Sequence, residues 1–356
     1  MKYFFVHKLR YFLIVISIFP IWPTAMTFAA DTKELVFLTW AEYMDPDLIE
    51  QFESRYNTKV KFIYFESDEL RDDMLLSTNN AFDVICTNGR SIKAYSNRGW
   101  ITPITDADVP NKKHIHTRWA HAFPYANEYA IPFFWGTLGI AYRKDLVTTP
   151  ITSWQQLLKP KTDLQGKITL VKDARDLMAM ALKSQGYSVN TENTDELKLA
   201  KHLLHEQKPY IKNYTYTLLS KESALVTGEA VALISYNGDA MQLIEHNNNI
   251  TYVIPDEGTN IWVDYLVVSK NSTKKKLAMN FINFLNEPIN AAKLAQYVYY
   301  ASPNHTAEKY LPKDFLADPV IYPDETRLKK SEFYRELSPR IQKKYNTILP
   351  HITEQK

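Results

Sequence analysis

Acidic residues follow strand-like apolar runs at three distant places in this chain of 356 residues, mostly beside large aromatic residues. The three segments are Trp40-Ala41-Glu42-Tyr43, Asp173-Ala174-Arg175-Asp176 and Ile261-Trp262-Val263-Asp264. An aromatic ring offers its π face to a cation, and a carboxylate accepts charge-assisted hydrogen bonds. Several acids along one cleft suit an organic cation that carries several separated amines. Burying so many unpaired acids in a dry core would be costly, so we expect a wet cleft.

The first acidic segment follows what the sequence predicts to be the first strand of a parallel sheet. The apolar run Leu35–Leu38 reads as that strand, and Asp45-Pro46 as the start of the helix after it. Alternation around Phe62 and the short apolar run at Val84-Ile85 predict two more strands with a helix between them. The resulting β-α-β-α-β order is typical of a parallel sheet with helices on its faces.

The second and third acidic segments also lie at or near predicted strands. Asp173 and Asp176 follow the strand-like run Ile168–Val171 and share one face of a helix start, although helix capping would explain one of them. Trp262 and Asp264 alternate along a strand, so their side chains point to one face. Between these segments, the pattern predicts a helix over 218–226 and a buried strand that ends at Tyr236. Open α/β sheets bind ligands at the carboxyl ends of their strands.

Residues 1–29 have the pattern of a secretory signal peptide. Three basic residues precede an apolar run over 11–22, and Thr27 and Ala29 fit a cleavage site after Ala29. An uncleaved anchor is the alternative interpretation. The only cysteine is Cys86, so an exported chain must rely on its core rather than on disulfides. We therefore predict a bacterial periplasmic protein.

The composition excludes several classes of function. The chain has 42 basic and 40 acidic residues, and three of the basic residues lie in the predicted signal peptide, so nothing indicates nucleic-acid binding. With only 9 glycines, the chain is a poor candidate for glycine-rich phosphate loops. His114, His116 and His121 form the only histidine cluster, and a solvated loop explains it better than a metal site. We predict no cofactor and no metal.

Seven motifs, in order along the chain, resemble those of the spermidine/putrescine-binding proteins of bacterial polyamine ABC importers. They are Thr39-Trp40-Ala41-Glu42-Tyr43, Ile131-Pro132-Phe133-Phe134-Trp135-Gly136, Asp173-Ala174-Arg175-Asp176, Tyr236-Asn237-Gly238, Ile261-Trp262-Val263-Asp264, Ser302-Pro303-Asn304 and Tyr322-Pro323-Asp324. The resemblance covers essentially the whole chain after the signal peptide. It implies an α/β protein with two doubly wound lobes joined by a hinge, a type II periplasmic binding protein. We place lobe 1 at 30–137 plus about 265–310 and lobe 2 at 138–264 plus about 311–356.

The resemblance also assigns roles to individual residues. It places Trp40, Glu42 and Tyr43 on the ligand wall of the first lobe, and gives amine-binding roles to the two aspartates of the second segment. It makes Trp262 and Asp264 the ring and acid that hold the middle of a polyamine. The full predicted ligand-binding set is Trp40, Glu42, Tyr43, Asn88, Asp173, Asp176, Tyr236, Trp262, Asp264 and Tyr300.

The chain departs from the family pattern at several of these positions. Ala41 stands where a small polar residue is usual, and Asn88 and Arg90 stand where polyamine binders have Ser and an aromatic residue. Tyr236 replaces a Trp, and Tyr334 replaces a Gln. Arg90 matters most, because a cation in the cleft repels an amine unless it points away or pairs with an acid.

The predicted function is therefore a non-catalytic, monomeric receptor that captures a polyamine and delivers it to an inner-membrane ABC permease. One alternative keeps the fold and changes the ligand, with Arg90 and Asn88 selecting another amine or a zwitterion. A second alternative is a secreted hydrolase that uses Glu42 and Asp264 as its two carboxylates. The sequence contains none of the common nucleophile, zinc or phosphate-loop motifs.

Overall fold

The computed structural model describes residues 33–77 and 82–353. Its strands are β1 (Lys33–Thr39), β2 (Thr58–Tyr64), β3 (Val84–Asn88), β4 (Ile101–Thr102), β5 (Ala130–Arg143), β6 (Ile168–Leu170), β7 (Ile211–Tyr214), β8 (Ala232–Tyr236), β9 (Ile250–Val253), β10 (Asn260–Ser269) and β11 (Glu332–Phe333). The main path of hydrogen-bonded strands has the order β2-β1-β3-β10-β5-β8-β6-β7. β4 and β11 pair with β10, and β9 pairs with β5.

Helices fill most of the connections between these strands. They are α1 (Pro46–Tyr56), α2 (Asp68–Ser77), α3 (Gly89–Asn97), α4 (Thr117–Ala120), α5 (Ala126–Tyr129), α6 (Trp154–Leu158), α7 (Ala174–Lys183), α8 (Thr194–Gln207), α9 (Ala224–Thr227), α10 (Asn237–His246), α11 (Lys275–Leu285), α12 (Pro288–Val298), α13 (Lys313–Ala317), α14 (Glu325–Leu328), α15 (Pro339–Asn346) and α16 (Ile348–Thr353). Short 3₁₀ helices occupy Pro110–His114, Lys208–Tyr210 and Ala307–Tyr310.

The first sheet begins as the sequence predicts. β1 pairs in parallel with both β2 and β3, and α1 and α2 provide the crossovers. Asp45 caps α1 by accepting a hydrogen bond from Asp47 N at 2.9 Å, with Pro46 at the first helical position. The predicted β-α-β-α-β order is confirmed for this part of the chain.

Two long strands join the two halves of the sheet. β10 runs antiparallel between β3 and β5, which places Asp264 opposite Asn88. The register of β10 against β5 shifts between Asp264 and Tyr265, as in a β-bulge, and bulges often re-aim side chains next to functional sites. β5 has 14 residues: its first half pairs with β10, and its second half pairs with β8 and β9.

Apolar cores lie on both sides of this junction. One core contains Phe37 of β1 and Phe52 of α1, whose rings lie 5.5 and 4.8 Å from Phe281 of α11. A second core contains the buried residues of α7 and Trp154. The Trp154 Nε1 donates to the Gly258 carbonyl at 2.9 Å. This layered α/β arrangement agrees with the predicted fold class.

One predicted helix is wrong over most of its length. The helix observed here is Ala224–Thr227, so only 224–226 of the predicted range 218–226 is helical, and residues 218–223 are not helical. Ser220 explains the difference, because its hydroxyl accepts from Glu222 N at 3.3 Å and its carbonyl accepts from Ser223 N at 3.0 Å. Such local serine turns compete with helix formation.

The predicted signal peptide, residues 1–29, lies outside the described residues. In the part of the chain that the structure describes, no helix has the length and hydrophobicity needed to cross a bilayer.

We expect Asp83→Ala to destabilise the first sheet. Asp83 is 4% exposed, and its Oδ2 accepts from Val36 N at 2.9 Å while its Oδ1 accepts from Ser272 Oγ at 2.6 Å. Removing the carboxylate leaves a buried backbone N–H without an acceptor, so the free energy of unfolding should fall by about 2–3 kcal/mol in urea titrations. The control is Asp106→Ala, at a side chain 90% exposed, with an expected change below about 0.5 kcal/mol. Equal effects of the two variants would contradict this role for Asp83.

Candidate ligand-binding site

The aromatic residues after β1 contact the acid on β10. The Tyr43 hydroxyl donates to Asp264 Oδ2 at 3.2 Å, and Trp40 packs on Phe65 with ring centroids 4.3 Å apart. Asp264 is 7% exposed. Burial raises its pKa to about 7 and the Asp68 charge adds to the rise, while Arg71 and hydrogen bonds from Tyr43 and Trp40 oppose it. The direct partners of this carboxylate are therefore neutral donors, which leaves its charge to be balanced by a ligand.

A group of rings lines the space beside Asp264. Trp262 meets Tyr300 edge to face at 4.7 Å and Tyr236 at 6.1 Å, and Tyr43 lies 5.8 Å from Tyr300. Gly136 of β5 makes room for this group, since a Cβ there would lie 2.6 Å from the Trp262 ring. The predicted aromatic residues Tyr43, Tyr236, Trp262 and Tyr300 thus come together in one wall.

A further acid, which the predicted set does not include, lies behind this wall. Asp239 lies in the first turn of α10, and its Oδ1 accepts from the Tyr300 hydroxyl at 2.7 Å. Burial raises the pKa of Asp239 to about 6, with the Tyr300 hydrogen bond opposing the rise and the Glu42 charge adding to it. Asp239 follows Tyr236-Asn237-Gly238 at a strand-to-helix turn, which is the sequence signal that could have identified it.

Glu42 lies at the open side of the wall. It is exposed and has a φ of 60°, a left-handed conformation that is uncommon for a residue other than glycine. Beside it opens a cavity of about 410 Å³, lined by Trp40, Glu42 and Tyr43 and by Glu50, Glu53 and Tyr64. The surroundings of this opening are therefore acidic and aromatic.

The second acid pair is built at the start of α7. Asp173 caps the helix by accepting from Asp176 N at 2.9 Å, so the capping alternative holds for Asp173. Asp176 is 2% exposed, and its two oxygens accept from the hydroxyls of Tyr236 at 2.8 Å and Tyr334 at 2.7 Å. Burial raises the pKa of both carboxyls, and the Asp176 charge raises that of Asp173 further. Tyr334, which the predicted ligand-binding set omits, is therefore a hydrogen-bond partner of Asp176.

Asn88 and Arg90 both contact an acid of α2. Asp68 Oδ2 accepts from Asn88 Nδ2 and from Arg90 Nη2, each at 2.6 Å, while its Oδ1 accepts from Arg71 Nη1 at 2.5 Å. Burial alone would raise the pKa of Asp68, but the charges of Arg71 and Arg90 hold it well below its usual range. Asn88 also caps α3 through Ser91 N. Arg90 is thus paired with an acid of the chain itself, which reduces its repulsion of a nearby amine but leaves a fixed guanidinium at this end of the site.

The structure places the predicted residues in two adjoining groups. The first holds Glu42, Tyr43, Trp262, Asp264 and Tyr300 with Asp239, and Trp40 borders it. The second holds Asp173, Asp176 and Tyr236 with Tyr334, and Asn88 lies with Asp68 beside it. Within residues 33–77 and 82–353, no three histidine, cysteine or acidic side chains converge on a possible metal position. The described geometry suits an organic cation.

The family model for bacterial extracellular solute-binding proteins matches residues 47–322. The chain belongs to this family. Among curated relatives of this solute-binding protein, the spermidine/putrescine-binding periplasmic protein of Escherichia coli is 30% identical over 312 residues, covering 87% of this chain and 88% of the relative. The putrescine-binding periplasmic protein of Pseudomonas aeruginosa is 29% identical over 337 residues, covering 89% and 91%.

A solved structure agrees with this assignment. The putative spermidine/putrescine ABC transporter from Listeria monocytogenes superposes with a TM-score of 0.83 at 32% identity, covering 90% of this chain and 99% of that chain. The structural neighbours are two-lobed type II periplasmic binding proteins, which confirms the predicted fold class.

We expect the unliganded solute-binding protein to lose stability as the pH rises from 5.5 to 8. Asp264 and Asp239 have folded-state pKa values above the ordinary 3.8, so the folded chain binds more protons than the unfolded chain in this range. Stability from these protonated carboxyls is fully present below their unfolded pKa and is lost as the pH rises through about 6 to 7. Each such group changes the free energy of unfolding by at most about 1.4 kcal/mol per pH unit.

Urea unfolding at the two pH values measures this slope, and Asp264→Asn should flatten it, because the amide does not titrate. Asp106→Asn, at an exposed position, is the matched control and should leave the slope as it is. An unchanged slope in Asp264→Asn would show that Asp264 ionises as readily in the folded chain as in the unfolded one.

Proposed function

We propose that this chain is a periplasmic substrate-binding protein that captures a polyamine, spermidine or putrescine, and delivers it to an inner-membrane ABC permease. The observation that carries the proposal is the pairing of Asp264, a nearly buried carboxylate, with neutral donors beside an aromatic wall. The relatives named for spermidine and putrescine, which align with nearly nine-tenths of the chain, support the same ligand class.

A protonated polyamine is complementary to both the carboxylates and the aromatic rings of this site. Its ammonium groups supply the positive charge that Asp264 and Asp239 lack, and its methylene chain packs against rings such as Trp262 and Tyr300. We propose that the ten residues predicted from the sequence form the ligand contacts, with Asp239 added to them. Asp173 and Asp176 line the other end of the site.

Ligand capture would work by hinge closure. In our proposal the lobes, bounded as the sequence predicts, rotate about the strands that cross between them and close over the ligand. The ligand favours the closed form because acids on both sides reach it only there. The closed form then docks on the permease as a monomer, after export directed by residues 1–29.

The alternatives have less support from the contacts. The zwitterion alternative assigns the ligand carboxylate to Asn88 and Arg90, yet both of these side chains already donate to Asp68. A two-carboxylate hydrolase would need Glu42 and Asp264 to act on one bond, whereas Glu42 is exposed and Asp264 is buried against the Tyr43 hydroxyl. We therefore propose that the chain has no enzymatic activity.

Titration calorimetry of residues 30–356 with putrescine and with spermidine tests the proposal. Binding of at least one of them is expected, and Asp264→Asn should weaken it by about 1.5–3 kcal/mol, the scale of a hydrogen bond to a charged group. Asp106→Asn controls for the lost surface charge and should bind like the unaltered chain. The absence of heat and of any thermal shift with both polyamines would refute the proposed ligand class.

Polyamine affinity should rise between pH 5.5 and 8. The carboxyls of Asp264 and Asp239 have pKa values raised to about 7 and about 6, so they are partly protonated near neutral pH and must ionise to pair with an ammonium. Binding at pH 6.5 should therefore release protons, which titrations in buffers of different ionisation enthalpy measure directly. Asp264→Asn should release fewer protons, and a pH-independent affinity would contradict this charge balance.

A further inference from the structure

The two ends of the site differ in how their acids are balanced. At one end, Asp264 and Asp239 receive hydrogen bonds from the neutral side chains Tyr43 and Tyr300. At the other end, Asp68 holds a salt bridge to Arg90 at 2.6 Å. The first end needs an external cation, whereas the second end already has one.

Arg90 is held firmly in its place at the second end. Its Nη2 shares Asp68 Oδ2 with the amide of Asn88, and Asp68 is itself fixed by the fully buried Arg71. The Arg90 side chain is 24% exposed, as is that of Asp68. A salt bridge that is largely desolvated and tied into such a network keeps its geometry better than an exposed pair.

Arg90 also faces the elements that carry the second acid pair. It lines a cavity of about 670 Å³ together with Asn190 and with Phe333 and Arg335, the residues on either side of Tyr334. Tyr334 in turn donates to Asp176. Accordingly, the Arg90 charge lowers the pKa of Asp173 and of Asp176, against burial, which raises both. The Arg90 guanidinium therefore interacts with three acids: it forms a salt bridge with Asp68, and its charge stabilises the ionised forms of Asp173 and Asp176.

Asp176 can accept few further hydrogen bonds from a ligand. Its two carboxylate oxygens already accept from the Tyr236 and Tyr334 hydroxyls. An ammonium placed beside Asp176 would meet two occupied acceptors, and it would lie close to the fixed Arg90 guanidinium, which disfavours a second cation there. At the Asp264 and Asp239 end the structure describes a hydrogen bond to one oxygen of each carboxylate, from Tyr43 to Asp264 Oδ2 and from Tyr300 to Asp239 Oδ1, and the guanidinium that acts on Asp264 is the fully buried Arg71.

We propose that Arg90 takes, from within the chain, the place of one ligand ammonium, so that the cleft binds a diamine in preference to a triamine. The inference rests on the proposed function, since it specifies which polyamine the same site prefers. The two ammonium groups of a diamine then lie toward the Asp264 and Asp239 end. A third ammonium extends toward Arg90 and is repelled.

Paired titrations with putrescine and spermidine test this inference on the mature chain and on Arg90→Gln, which removes the charge but keeps an amide that can reach Asp68. The unaltered chain should bind putrescine at least about tenfold more tightly than spermidine. Arg90→Gln should reduce this ratio at least about tenfold, chiefly by strengthening spermidine binding. Arg90→Lys retains a cation and should keep the diamine preference.

Lys93→Gln is the matched control, because it removes one positive charge from the same helix at a side chain 47% exposed. Its putrescine-to-spermidine ratio should stay within about twofold of that of the unaltered chain. A tighter complex of the unaltered chain with spermidine would overturn the inference, as would an unchanged ratio in Arg90→Gln. So would tighter binding of a γ-amino acid that depends on Arg90.

The outcomes separate the two proposals. If neither polyamine binds the unaltered chain, the proposed function fails; if both bind with a ratio insensitive to Arg90, only the diamine preference fails. Circular dichroism melting checks that each variant folds. Should Arg90→Gln not fold, the ratio measured on the unaltered chain and on Arg90→Lys decides, because both must favour the diamine.

Discussion

The energetics of the site depend on a carboxylate that is buried without a counter-charge in direct contact. Asp264 is 7% exposed and lies on a strand flanked by β3 and β5, so the sheet itself holds it away from water. A phenol from the segment after β1 satisfies one lone pair but supplies no positive charge. Burial of a charge in this way is unfavourable in the free protein, and that unfavourable term is relieved when a cation arrives. The same interaction thus destabilises the empty site and provides specificity for the ligand.

The fold makes this possible by drawing the site from strand ends that are far apart in the sequence. Tyr43 follows β1, Asn88 ends β3, and Tyr236 ends β8. Each of these strands has a buried, largely apolar body that fixes the backbone, and each turns abruptly into polar or aromatic residues at its end. The polar groups are therefore positioned by rigid elements, and an open α/β sheet offers its strand ends as the usual place for a ligand.

Much of this arrangement could be predicted from sequence, and the reason lies in periodicity. Trp262 and Asp264 are two residues apart on a strand, so a common face follows directly from the pleat. Asp239 was not predicted, because only the aromatic residue of the preceding motif Tyr236-Asn237-Gly238 was considered as a ligand contact. Asp239 itself lies in the first turn of the helix that follows. The Asp68 network was beyond sequence reasoning, because the Asp68–Arg71 pair of α2 meets Asn88 and Arg90 only through the packing of α2 against the start of α3. The helix predicted over 218–226 failed for a local reason, a serine turn that apolar periodicity does not register.

Two tyrosines that depart from the expected family pattern, Tyr236 and Tyr334, contact the same carboxylate. Tyr236 and Tyr334 lie 98 positions apart in the chain, and the motif resemblance described above implies a Trp and a Gln at these positions. Their hydroxyls meet on the two oxygens of Asp176. A Trp at position 236 would offer its donor from a different place on the ring, and a Gln at position 334 would be free to turn toward a ligand. The two tyrosine hydroxyls donate hydrogen bonds to both oxygens of Asp176, and Arg90 forms a salt bridge with Asp68. Both acids therefore have partners within the chain. In our proposal, Tyr236, Tyr334 and Arg90 therefore have one common effect: they balance Asp176 and Asp68 at one end of the site and leave Asp264 and Asp239 for the ligand.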